Sequence, residues 1–72
     1  MFEEFKEHEL ELLQDMGYII VEGIARQGHE IGYETLRIID GKVYHAGKDQ
    51  SGFRFDKTYD NFDMWYEDKQ KQ

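Results

Sequence analysis

The chain has 72 residues, no cysteine and no proline, 35% charged and 39% hydrophobic residues, and a formal net charge of −7. This size allows one small domain, residues 1–72, whose core yields only about 3–5 kcal/mol of net stability; the missing cysteines exclude a disulfide framework and a cysteine zinc site. The acidity disfavours a general affinity for nucleic acid or anionic membrane, the longest apolar run, Tyr18 to Val21, is far short of the roughly 20 residues of a membrane span, and the acidic opening MFEEFKEHE is unlike a signal peptide, so the reading is soluble and cytoplasmic.

Taken along the chain, Phe2 to Met16 has helical periodicity. Phe2, Phe5, Leu12, Leu13 and Met16 share one face at 100° per residue, and Glu4, Glu7, Glu11 and Asp15 fall opposite. Glu9 lies within the apolar face. It belongs either at the rim of the core or buried against a partner such as Arg26, Arg37 or Arg54. Gly17 supplies the helix stop. Tyr18 to Arg26 and Ile31 to Ile39 are rich in β-branched and aromatic residues and read as strands joined around residues 27–30. Asp40-Gly41 is the strongest local signal, because a type I′ turn needs positive φ at both central residues. A third strand then runs from about Lys42 to Ala46, Lys48 to Gly52 forms a loop, and Gly52 to Asp56 alternates as a short fourth strand. Asp60 can cap a last helix to about Lys69, with Asp63 in its first turn, Phe62, Trp65 and Tyr66 on its apolar face, and a frayed tail over residues 69–72.

The resulting class is α+β: an antiparallel meander of three to four strands flanked by an N-terminal and a C-terminal helix. Its strands are apolar on both faces, which asks for one helix per face or a second molecule on an open one, and leaves monomer and homodimer both open.

Little in the sequence speaks for catalysis. His8, His29 and His45 fall on a helix, a loop and a strand without metal-ligand spacing and read as solvated or edge residues. Asp56, Asp60 and Asp63 lack the calcium-loop pattern, and capping explains the last two. Ser51 is the one serine and has no nucleophile motif around it; neither Gly41-Lys42 nor Gly47-Lys48 is a P-loop. The chain is therefore read as non-enzymatic, with no catalytic residue, metal or cofactor.

Charge by segment points to binding instead. Residues 1–25 carry a net −6, residues 26–57 a net +1 and residues 58–72 a net −2. One reading is a protein-binding module, with Glu4, Glu7, Glu11, Asp15, Asp60, Asp63 and Glu67 forming acidic helix faces. Such faces would mimic nucleic-acid phosphates before a basic protein and inhibit it. The alternative places function on the sheet, where Arg37, Lys42, Tyr44 and Arg54 mix bases with aromatics suited to nucleic acid. That alternative requires the acidic helices to lie on the far side of the sheet.

Overall fold

The computed structural model describes residues 2–71. In chain order the elements are β1 (Phe2–Glu3), α1 (Glu7–Asp15), β2 (Ile19–Val21), β3 (Ile24–Gly28), β4 (Tyr33–Ile39), β5 (Lys42–Lys48), β6 (Arg54–Tyr59) and α2 (Phe62–Gln70). Strands β2 to β6 form an antiparallel meander in sequence order, and β1 pairs with β4. The helix–meander–helix class expected from sequence is the fold, with five meander strands.

Helix α1 begins later than its periodicity predicts. Phe2 and Glu3 pair instead with Ile39 and Ile38, on the side of β4 that β3 occupies up to the Ile24–Arg37 pair. The Glu3 carboxylate accepts the Gly41 amide at 2.8 Å, which ties this strand to the β4–β5 turn. Glu4 consequently lies in the connection to α1, and the helical part of the acidic stripe starts at Glu7. Glu9 is buried, and its partner is the backbone amide of Lys6 at 2.7 Å, not an arginine. An acid at this third helical position fills an orphan donor of the first turn, which explains a carboxylate on an apolar face.

The predicted stop at Gly17 is a Schellman closure. Gly17 adopts φ +91° and donates to Gln14, while the Tyr18 amide donates to the Leu13 carbonyl at 2.9 Å. The single strand expected over Tyr18 to Arg26 is two strands, because Glu22 and Gly23 (φ 52° and 78°) make a type I′ hairpin turn. Asp40 and Gly41 form the second such turn at nearly the same angles, where the sequence places it. The β3–β4 loop spans residues 29–32, two residues beyond the expected position, closed by reciprocal His29 and Gly32 backbone bonds. Strand β5 continues to Lys48, and β6 starts at Arg54, because Asp49 Oδ1 caps the intervening loop through the Ser51 and Phe53 amides. Helix α2 is capped by Asn61, whose side chain accepts from the Met64 amide at 2.9 Å, so the cap falls one residue after Asp60. Lys69 and Gln70 lie within the bounds of this helix, and Gln72 lies outside the described residues.

Both helices pack on the same face of the sheet. Leu13 of α1, Phe62 and Trp65 of α2, Phe5 and Tyr18 join Ala25, Leu36, Ile38 and Val43 in one core. Edge-on aromatic contacts lock it: Phe5 meets Phe62 at 6.4 Å and Tyr18 meets Trp65 at 6.0 Å between ring centroids. Among the described residues no helix lies over the other face of the sheet. Ile24 registers with Val21, so the Glu22–Gly23 turn puts Ile24 on the open face with Ile19, not with Ile20 as an uninterrupted strand would.

Candidate functional site

Strand register assigns each side chain to a face. Leu36 and Ile38 point into the core, so Thr35, Arg37 and Ile39 point out, and their partners Arg26, Ile24, Ala46, Tyr44 and Lys42 point out with them. Arg54, two residues along β6 from Asp56 and paired with Lys48, falls on the same side. The structure thus gathers all four sheet residues singled out in the sequence, Arg37, Lys42, Tyr44 and Arg54, on the open face. Arg26 and Lys48 join them, and Asp56 is the acid among them. Arg26 and Arg37 are diagonal neighbours across β3 and β4, within reach of one anionic group.

The face is also concave. A depression of about 660 Å³ lies between Arg26, Arg37, Tyr33 and Thr35 and is floored by Gly28, Ala46 and Gly47. Small residues make that floor, and Gly47 has a further constraint: at φ +151° a Cβ would stand 2.1 Å from the Tyr33 carbonyl oxygen. Tyr33 is 57% exposed, leaving an aromatic face free at the wall.

The acids lie elsewhere. Glu4, Glu7, Glu11, Asp15, Asp60, Asp63 and Glu67 are exposed, and none forms a hydrogen bond or ion pair to another side chain among the described residues. They sit on or beside the helices, on the side of the sheet away from the bases. The molecule measures 30 × 25 × 21 Å along its principal axes.

A third constellation was not visible as such in the sequence. Glu34 on β4 is buried, and its Oε1 accepts from the Tyr18 hydroxyl at 2.6 Å, His45 Nε2 at 2.8 Å and Lys69 Nζ at 3.0 Å. The Trp65 indole N–H, which can only donate, reaches His45 Nδ1 at 3.2 Å. That donor fixes the ring as the neutral tautomer with its proton on Nε2, directed at Glu34. His45 is therefore a core residue with both nitrogens engaged, not a solvated edge histidine.

Burial alone would push the Glu34 carboxyl up, but the hydrogen bonds from His45, Tyr18 and Lys69 and the Lys69 charge outweigh it and hold it at about 2. Burial, reinforced by the carboxylate it donates to, pushes the Tyr18 hydroxyl well above its usual range. Tyr59 is raised to about 12 by burial and by its 2.6 Å bond to Asp68. A signal for this network was present: Glu34 is in phase with Leu36 and Ile38, and His45 with Val43, so both break the apolar alternation of an inward face.

Among the described residues no group of three or more His, Asp and Glu side chains converges as a metal site needs, and no helix is long and apolar enough to cross a membrane. Comparison with known proteins adds no relative: no family model, curated protein or solved structure matches the chain.

Proposed function

We propose that the protein is a non-enzymatic binding module whose open sheet face takes single-stranded nucleic acid. The observation that carries this reading is the segregation of charge: Arg26, Arg37, Lys42, Lys48 and Arg54 share the uncovered face while both acidic helices pack on the other. This layout supports phosphate binding by a chain of net charge −7, since charges on opposite sides of a molecule are screened beyond a Debye length of about 8 Å at physiological salt. Arg26 and Arg37 flank a depression sized for a nucleotide, and Tyr33 and Tyr44 offer rings for stacking. A twofold dimer through this face would set one basic surface against another, so charge opposes that arrangement.

Anisotropy of a labelled oligonucleotide near 50 mM salt tests the proposal, with an expected Kd of about 10⁻⁵ M. Replacing Arg26 and Arg54 by Gln should weaken binding by about tenfold or more, without changing the thermal midpoint. Absence of saturable binding to single-stranded DNA and RNA at about 100 μM protein would refute it.

A second reading keeps the acidic helix faces as a phosphate-like surface for a basic protein, and is supported by the lack of side-chain partners for those seven carboxylates among the described residues. Capture from the native host with Glu7, Glu11 and Asp15 neutralised tests it: retention of every basic partner would sink it.

A further inference from the structure

On the helix-bearing side, the two helices leave one end of the sheet uncovered. A cleft of about 730 Å³ opens there, floored by Gln27, Glu34, His45, Phe55 and Lys57, with Lys69 of α2 on one wall and the loop residues His29 and Asp49 on another. Its volume is that of a small-molecule site.

Glu34 gives the cleft a specific chemistry. Its side chain is 9% exposed, and Oε1 already accepts three hydrogen bonds, yet no described residue donates to Oε2. Nor is Oε2 sealed: among the described residues, the ring nitrogens of His29 alone are both inaccessible and unpartnered. An ionised carboxylate oxygen of a cleft-lining side chain that keeps solvent contact accepts from water or from the donor of a ligand that displaces it.

The rest of the lining restricts what carries that donor. Glu34 and Asp49 balance Lys57 and Lys69, so the cleft has no net charge and selects neither a bare cation nor a polyanion. Lys57 is exposed and forms no ion pair among the described residues, whereas Lys69 is committed to Glu34. Register places Lys57 beside His45 on β6, two strands from Glu34 and two residues along. Their Cα atoms are then about 12 Å apart from sheet spacing and rise, which leaves room between the side-chain heads for a molecule whose charges are only a few bonds apart.

We infer that this cleft binds a small zwitterion of the amino-acid class, its ammonium donating to Glu34 Oε2 and its carboxylate accepting from Lys57. The aliphatic or amide part of the ligand would lie along Phe55 and Gln27. This site is on the opposite face from the nucleic-acid surface and stands or falls independently of it.

The test is a titration of ¹⁵N-labelled protein, followed by amide chemical shifts, with a panel of L-α-amino acids, with glycine betaine, and with methylammonium and acetate separately. Saturable shifts at residues 27, 34, 45 and 57 with at least one amino acid are expected, and none with betaine, which has no N–H to give Oε2. Lys57→Gln, a surface change that leaves the core intact, should weaken that binding at least about tenfold. Glu34→Gln should abolish it if the variant folds; Lys57→Gln carries the test if it does not. No saturable shift with any amino acid, equal binding of betaine, or an unaffected Lys57→Gln would overturn the inference and leave water as the sole donor to Oε2.

Discussion

The separation of basic sheet from acidic helices makes an unusual prediction about salt. A single strand held by about four bases should tighten with falling salt at a slope of about −2.8 in log K against log [salt], as counterions are released. The seven carboxylates on the helix side oppose this; a separation of about 20 Å, one helix layer plus one sheet spacing away, sets the scale of their effect. At 0.15 M salt each costs a bound phosphate about 0.02 kcal/mol, and at 0.01 M, where the screening length reaches about 30 Å, about 0.1 kcal/mol. Summed over the seven acids and about four phosphates, repulsion grows by about 2.4 kcal/mol between those salts, nearly two powers of ten. The apparent slope should therefore fall to about −1.3 in this range. The assay is oligonucleotide anisotropy at salts from 0.01 to 0.15 M for the native chain and for a variant with Glu7, Glu11, Asp15, Asp63 and Glu67 changed to their amides. The variant should recover most of the steeper slope. Equal slopes for the two proteins would show that the helix acids are not on the far side of the bound strand, and the charge-segregation argument would fail.

Three further outcomes follow from the fold. Glu34 has its carboxyl lowered from 4.5 to about 2, so its contribution, about 2–3 kcal/mol, is fully present above pH 4.5 and is lost as pH falls toward 2; urea midpoints at stepped pH should show the loss, and Glu34→Gln should flatten it while lowering stability at neutral pH. Gly47→Ala forces a Cβ to 2.1 Å from the Tyr33 carbonyl and should destabilise by more than about 3 kcal/mol in thermal melts; a cost below about 1 kcal/mol would mean the strand can yield there. Asn61→Ala removes the cap of α2 and should cost about 1 kcal/mol, with Asn61→Asp close to neutral.

Local chemistry was legible in the residues, and non-local pairing was not. Asp40-Gly41 and Gly17 announce themselves because positive φ is cheap for those residue types. Glu22-Gly23 makes the same turn with a glutamate in the first position, a residue that seldom accepts φ 52°, so the sequence reads through it as one strand. Residues 2–3 look helical because the partner that draws them into the sheet, β4, lies more than thirty residues away. The basic sheet residues were identifiable by type, but the side they face depends on which face both helices choose, a tertiary fact. His45 reads from sequence as a solvated or edge residue because the burial of His45 and Glu34 is stable only once Tyr18, Trp65 and Lys69 arrive from elsewhere in the chain.

That convergence on Glu34 also bears on kinetics. Each meander strand pairs with its sequence neighbour through a short loop, so hairpins can form from local contacts early in folding. The Glu34 hydrogen bonds join residues 18, 34, 45 and 69, and close only when the segment before β2 and the end of α2 have both docked. Interactions formed after the folding barrier act on escape from the native state, not on entry to it. Substitution of Glu34 should therefore shorten the lifetime of the folded protein while leaving its refolding rate nearly unchanged.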